Sequence, residues 1–160
     1  METWGQYDQT YYNPPAPMLI WDGTCGFCKY WVTRWKALTG DEILYVPYQE
    51  AAHEIKDIPV QAFKKAVRMI ETDGEVYSGA GAAYKTLTYS RKWRFLYPYY
   101  RKSALFRKIS DYAYQCIADN RPFMFTLTKV LFGKNPNKMV HYWIIYVLIG
   151  VFLFVFLVFS

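Results

Sequence analysis

Residues 18–28 read Met18-Leu19-Ile20-Trp21-Asp22-Gly23-Thr24-Cys25-Gly26-Phe27-Cys28, and the way this stretch divides decides the fold. Residues 18–21 form a short unbroken apolar run, as a strand buried on both faces does, and Asp22-Gly23 supplies the turn that ends it. Beyond the turn, Phe27, Trp31, Trp35 and Leu38 recur at spacings of four, four and three, while Lys29, Thr33 and Lys36 fill the other side. That period predicts an amphipathic helix stopped by Gly40, with Phe27 and its partners packed inward. Two cysteines therefore fall at the mouth of a helix that follows a buried strand.

Outward from this stretch, residues 43–48 read as a second buried strand, and residues 49–65 as short helical turns broken at Pro59. Residues 66–71, the pair Asp73-Gly74 and residues 75–77 make a hairpin joined by a two-residue turn. Gly79-Ala80-Gly81-Ala82-Ala83 opens a helix at its end, and short basic, aromatic helices follow from Arg91, one of them over residues 109–120. The order β-α-β-α-β-β-α, with the last two strands antiparallel, is an α/β, thioredoxin-like layout with extra C-terminal helices.

Cysteines three apart on a first helical turn share a face and come within reach of a disulfide. Exchange chemistry needs a thiolate, and a helix N-terminus favours one. About 1 to 2 kcal/mol of such stabilisation raises the thiolate fraction near pH 7.5 from about a tenth to between about a third and a half. Cys25, nearer the unpaired amides, is the candidate nucleophile, and Cys28 the candidate resolving thiol. Gly26 would let a substrate backbone approach closely. Lys29 either adds favourable charge or is an ordinary solvated residue. Asp22 either accepts a proton from Cys28 or caps the turn.

The stretch from Ile20 to Cys28 resembles the signature of the DCC family of thiol-disulfide oxidoreductases, named for an Asp-x-x-Cys-x-x-Cys motif after the first strand. The likeness continues through Val46-Pro47-Tyr48-Gln49, through Gly79-Ala80-Gly81-Ala82-Ala83, and through residues 114–121, which are similar to the family's closing Tyr-x-x-x-(Ala)-x-Asn-Arg stretch. It covers about residues 18–125 and implies a thioredoxin-like fold with Cys25 and Cys28 as the redox pair. Thioredoxins also set a cis-proline beside the dithiol, ahead of a later strand. Here the nearest proline, Pro59, stands seven residues before Ala66, so the substrate platform differs or is absent. Asp22 also departs from the six-residue spacing of the buried thioredoxin carboxylate.

Composition agrees with one small domain plus an appendage. The 160 residues are 53% hydrophobic, 21% aromatic and 20% charged, which excludes wholesale disorder. Three cysteines, at 25, 28 and 116, are too few for a secreted disulfide framework. Cys25 and Cys28 have zinc-ligand spacing, but a structural site needs four ligands and His53 is the sole histidine outside the apolar C-terminal stretch, so no metal is expected. Disulfide exchange calls for no bound cofactor. Cys116 falls in register with Ile109, Tyr112 and Ala113 and is expected as a small buried hydrophobe. Asp119 and Arg121 either pair with each other or contact a partner.

The net charge of +6 is divided along the chain. Residues 1–75 carry 7 Lys/Arg against 11 Asp/Glu, and residues 76–160 carry 12 against 2. Residues 139–160 contain no Asp, Glu, Lys or Arg. A helix over residues 140–159 would span roughly 30 Å, the bilayer's hydrocarbon thickness, and is predicted to be transmembrane. His141, Tyr142 and Trp143 suit the headgroup zone at its start, and Lys129, Lys134 and Lys138 precede it. The positive-inside rule then places residues 1–138 in the cytoplasm, making the protein single-pass and tail-anchored. No secretory signal competes with this reading, since residues 1–17 have neither a basic nor an apolar signal region.

Eight basic residues and no acid fall between Lys85 and Lys108, among aromatics. Nucleic acid is the less favoured partner for them, because an anionic lipid surface or a membrane-protein partner suits the same mixture beside an anchor. The candidate contact residues are Arg91, Lys92, Trp93, Arg94, Arg101, Lys102, Arg107, Lys108, Lys134 and Lys138. The chain thus divides into an extended or partner-docked leader (1–17), a thioredoxin-like domain (18–125), a basic juxtamembrane linker (126–138) and the anchor (139–160). Two functions are expected of such a chain. One is exchange with a protein or small-molecule disulfide by Cys25 and Cys28, with Asp22 assisting. The alternative is a non-catalytic accessory subunit of a larger membrane complex.

Overall fold

The computed structural model describes residues 7–138, 142 and 144–149. Strand β1 (Met18–Trp21) leads through a short loop into helix α1 (Gly26–Thr39), and β2 (Leu44–Pro47), α2 (Tyr48–Ala51) and α3 (Val60–Lys65) follow. Strands β3 (Arg68–Ile70) and β4 (Val76–Ser78) form the hairpin, and α4 (Gly79–Thr86), α5 (Leu96–Lys102), α6 (Ala104–Asp119) and α7 (Arg121–Phe132) follow, with short 3-10 turns at Gly40–Glu42 and Leu87–Tyr89. The strands lie in the order β2-β1-β3-β4. β1 runs parallel to β2, with Leu19 opposite Tyr45, and antiparallel to β3, with Leu19 opposite Met69. β3 and β4 are antiparallel. The result is a mixed α/β fold consistent with a thioredoxin-like one.

The alternation of side chains along a strand explains why β1 is apolar throughout. Met18 and Ile20 enter a core with Ile55, Ile58, Phe63 and Ile70, on the face covered by α2 and α3. Leu19 enters the opposite core with Val32 of α1, Met69 and Ala82 of α4. Leu19, Ile20, Met69 and Ile70 are all fully buried. Each such side chain contributes about 1.5 to 3 kcal/mol of burial, so a central strand that is dry on both faces anchors the domain.

The hairpin turn is one residue longer than expected. Glu71 N donates to Glu75 O at 2.9 Å and Gly74 N to Glu71 O at 3.0 Å, with Gly74 at φ 83°. Thr72 therefore joins Asp73 and Gly74 in a three-residue connection, which uses a left-handed glycine in its last position. A side chain at Gly74 would also strike Thr10 O, 2.5 Å away.

That contact belongs to the leader, which docks on its own domain. Val76 N donates to Asp8 O at 3.0 Å and Thr10 N to Gly74 O at 2.9 Å, and Gln9 bridges Glu75, so the leader covers the edge of β4. Asp57 fastens it by accepting from Thr10 Oγ1 at 2.8 Å and from Tyr11 N at 3.0 Å.

Two helices present other faces than their periodicity suggests. On α1 the buried residues are Cys28, Tyr30, Val32 and Thr39, and Trp35 packs on the same core as Val32. The stripe of Phe27 and Trp31 turns instead toward α7, where Trp31 meets Phe132 at 6.1 Å between ring centroids. Sheet and α7 lie on different sides of α1, so it carries two apolar stripes, and the aromatic one is the more conspicuous. On α6 the expected buried face is the outer one: Ile109 and Tyr112 are 58% and 61% exposed, Ala113 is exposed and Cys116 is half-buried. Phe106, Ser110 and Tyr114 point inward. Ser110 and Phe106 meet Tyr84, and Tyr114 packs on the core of Leu19.

Among the described residues no helix is long and apolar enough to cross a membrane. Most of the expected anchor, residues 140–159, including His141 and Trp143, lies outside the described residues. Tyr142 and residues 144–149 are helical and their side chains are exposed.

Candidate redox site

The site is built on the loop between β1 and α1. Asp22 Oδ1 accepts from Thr24 N at 3.1 Å and Thr24 Oγ1 at 2.8 Å, a local turn that lifts the chain from the strand into the helix. Gln49 clasps the loop from the side, with Nε2 donating to Asp22 Oδ1 at 3.0 Å and Oε1 accepting from Gly23 N at 3.1 Å. Gly23 permits this, because a Cβ there would lie 2.9 Å from Pro47 Cβ. The Val46-Pro47-Tyr48-Gln49 patch is therefore a brace for the cysteine loop. Arg121, at the start of α7, supplies a second brace. Its guanidinium stands 3.7 Å from Asp22 Oδ2 and donates to Lys64 O at 2.9 Å and Lys65 O at 2.5 Å.

Asp22 is therefore the turn's cap and the partner of Arg121. Burial alone would raise its pKa, but the hydrogen bonds from Thr24 and Gln49 and the Arg121 charge outweigh burial and hold the carboxyl below its ordinary value. Asp119, the alternative partner for Arg121, accepts instead from Gln115 on its own helix at 2.8 and 2.9 Å.

Cys25 is the N-cap of α1, one residue ahead of the helix proper, and is joined to Cys28 by a disulfide with Cα atoms 5.2 Å apart. The Cys28 amide donates to Cys25 Sγ at 3.1 Å. A helix amide thus already points at the sulfur that would carry charge on reduction. The two sulfurs differ in access. Cys25 is half-exposed and lines a large open groove, whereas Cys28 is 9% exposed and faces an apolar cavity of about 150 Å³ bounded by Phe27, Trp31, Trp35 and Tyr114.

Gly26 is exposed, with the Phe125 ring of α7 beside it, so that a Cβ at Gly26 would lie 2.9 Å from that ring. The backbone ahead of β3, where a thioredoxin sets its cis-proline, is engaged. Val67 N donates to Tyr114 Oη at 3.1 Å and Val67 O accepts from Gly79 N at 3.0 Å. No cis peptide occurs among the described residues, and Pro59 is the N-cap of α3. Tyr114, Gln49 and Phe125 had no assigned role in the sequence. The first two lay inside recognisable patches, but only contacts across the fold reveal what they hold.

Of the remaining candidates, Lys29 follows Cys28 on α1, and Arg107 and Lys108 line the groove that opens at Cys25. Lys29 is exposed, and His53 is exposed beside Glu54 at 3.7 Å. Among the described residues no group of three or more His, Cys, Asp or Glu could hold a metal ion. Arg91, Lys92, Arg94, Arg101, Lys102, Arg107, Lys108, Lys134 and Lys138 are exposed, and Trp93 is half-buried beneath Lys92 and beside Phe95. Lys85 is the exception in its stretch. It turns inward to Glu71 at 3.2 Å and over the Tyr77 ring.

A helix-capping cysteine bonded to a buried cysteine one turn on, at the end of a central strand, is the arrangement of a thiol-disulfide exchange protein. Residues 19–127 match the family model described as DCC1-like thiol-disulfide oxidoreductase, and the chain belongs to that family. No curated relative and no solved structure matches it. The family and the close cysteine pair together support a redox role.

Proposed function

We propose that this chain is a thiol-disulfide oxidoreductase in which Cys25 exchanges with substrate and Cys28 resolves the mixed disulfide. The observation that carries the assignment is the difference in access, with Cys25 at the mouth of the groove and Cys28 buried behind it. In the reducing direction the Cys25 thiolate attacks one sulfur of a substrate disulfide, whose bond breaks and releases the first substrate thiolate. The Cys28 thiolate then attacks Cys25 Sγ and releases the second, so two electrons pass to substrate and the Cys25–Cys28 disulfide forms. In the oxidising direction the steps reverse. Asp22 acts here as a positioning residue, holding the loop that presents Cys25.

A Cys28→Ser variant is expected to accumulate a mixed disulfide at Cys25 when mixed with a disulfide substrate, detectable as a mass adduct, while Cys25→Ser accumulates none. Equal adducts on both variants, or none on Cys28→Ser, would defeat the assignment.

The same reading tethers the protein to a membrane through residues 139–160, with the folded part on the cytoplasmic side. It is supported by the charge-free run, by Lys129, Lys134 and Lys138 ahead of it, and by the apolar exposed side chains of residues 144–149. Arg91, Lys92, Arg94 and Lys134 would then meet the anionic leaflet. Labelling of intact cells tests this topology, since an impermeant thiol reagent that reached Cys25 would overturn it. A second reading, an accessory subunit of a membrane complex, is favoured by the outward apolar stripe of Leu105, Ile109 and Tyr112 on α6. Full functional rescue by a Cys25→Ser, Cys28→Ser double variant would select it.

A further inference from the structure

Exchange at Cys25 needs a surface that holds the group next to the substrate sulfur while the new bond forms. The backbone ahead of β3 does not supply it, because the Val67 amide and carbonyl are bonded to Tyr114 and Gly79. Helix α7 stands beside the cysteine instead. Arg121 ties its first turn to the cysteine loop, 3.7 Å from Asp22 Oδ2 and bonded to the carbonyls of Lys64 and Lys65. Residues four apart share a helix face, so the same anchor lays Phe125 against the loop. A Cβ at Gly26 would come within 2.9 Å of Phe125 Cε1, and Lys129, four residues further on, sets its Nζ 4.3 Å from the ring centre. The ring is only half-buried, and with Phe27 and Pro122 it lines the groove where Cys25 opens.

We propose that Phe125 is a specificity-determining residue of the exchange site, whose ring takes up the side chain next to the substrate's reacting sulfur and selects an apolar one. The proposal rests on the reading of Cys25 as the exchanging sulfur and adds what the substrate carries beside its disulfide. The preference comes from apolar surface removed from water against Phe125 and Phe27, so it holds for substrates that bear no charge.

The test uses two uncharged probes, the symmetrical disulfides of an N-acetylated, C-amidated tripeptide with cysteine between two leucines or between two serines. The full chain carrying Cys28→Ser is reduced and held in zwitterionic lipid vesicles. Its Cys25 thiolate attacks one probe sulfur, the probe disulfide breaks, one peptide leaves as a thiolate, and the other stays on Cys25 as a mass adduct. Each rate is divided by that of free N-acetylcysteine amide with the same probe in the same vesicles. The leucine probe is expected to react about tenfold faster than the serine probe on this scale. Phe125→Ala brings the ratio close to one, Phe125→Leu keeps most of it, and Phe123→Ala, at an exposed position elsewhere on α7, leaves it unchanged. The leucine tripeptide with serine in place of cysteine is expected to bind by saturation-transfer NMR and to lose that binding in Phe125→Ala. Equal rates for the two probes, or a ratio that survives Phe125→Ala, would overturn the proposal and leave the exchange reading standing. If neither probe forms an adduct but the cysteine-free peptide binds and Phe125→Ala abolishes its binding, the Phe125 assignment holds and the exchange reading fails. Absence of both adduct and binding overturns both.

Discussion

Asp22 commits both carboxylate oxygens to the loop that carries Cys25, Oδ1 to Thr24 and Gln49 and Oδ2 toward Arg121. Removing a charged acceptor from such a site costs about 1.5 to 3 kcal/mol, so Asp22→Ala is expected to lower the thermal midpoint by about 3 to 12 °C. The pH dependence follows from the direction of its shift. Because the folded-state pKa lies below the ordinary carboxylate value of 3.8, the stabilisation is fully present above that value and is lost as pH falls through the lower folded pKa. Melting curves of the protein and of Asp22→Asn are therefore expected to differ at neutral pH and to converge as pH falls through that lowered folded-state pKa. Tyr114 offers a second test at this scale. Tyr114→Phe removes the acceptor of the Val67 amide beside the site and is expected to cost about 1 to 3 kcal/mol, read by chemical denaturation.

At the scale of elements, the order of strands and helices was legible because each carries its own signal: the apolar run of β1, the glycine after α1, the Asp73-Gly74 turn. The faces of α1 and α6 were not. On α6 the stripe of Leu105, Ile109, Tyr112 and Cys116 and the stripe of Phe106, Ser110, Tyr114 and Ile117 both recur at helical spacing, and period alone does not say which meets the sheet. What decides is Tyr114, whose hydroxyl meets the Val67 amide while its ring packs on the core of Leu19 and Met69. The prediction belongs to the helix. Leu105→Gln with Ile109→Gln is expected to leave the thermal midpoint nearly unchanged, whereas Phe106→Ala, which strips an inward ring from Tyr84, lowers it. A large loss from the glutamine pair would mean that the outer face is covered in the folded protein.

Across the whole molecule, the cysteine loop gathers residues that the chain keeps far apart. Gln49 and Arg121 lie 27 and 99 positions from Asp22, and both reach its carboxylate. The dithiol itself was legible because its parts are contiguous, while its supports were not, since nothing in the spacing of Arg121 says that its partner is Asp22 and not Asp119. The leader is a similar case: a Pro- and Tyr-rich segment without periodicity gives no sign that Asp57 will fasten it. Asp57→Ala releases Thr10 and Tyr11 and is expected to bare the edge of β4, seen as faster proteolysis of residues 7–13.

The pairing of Arg121 with Asp22 also has an electrical consequence. Their opposite formal charges offset each other at the mouth of α1, so this pair adds no net charge beside an ionised Cys25. The counterweight to its new charge is then the row of helix amides led by that of Cys28, which are dipoles fixed in place and not mobile side-chain ions. Ionic strength is accordingly expected to leave the rate of mixed-disulfide formation by Cys28→Ser with an uncharged disulfide almost unchanged, read across a salt series.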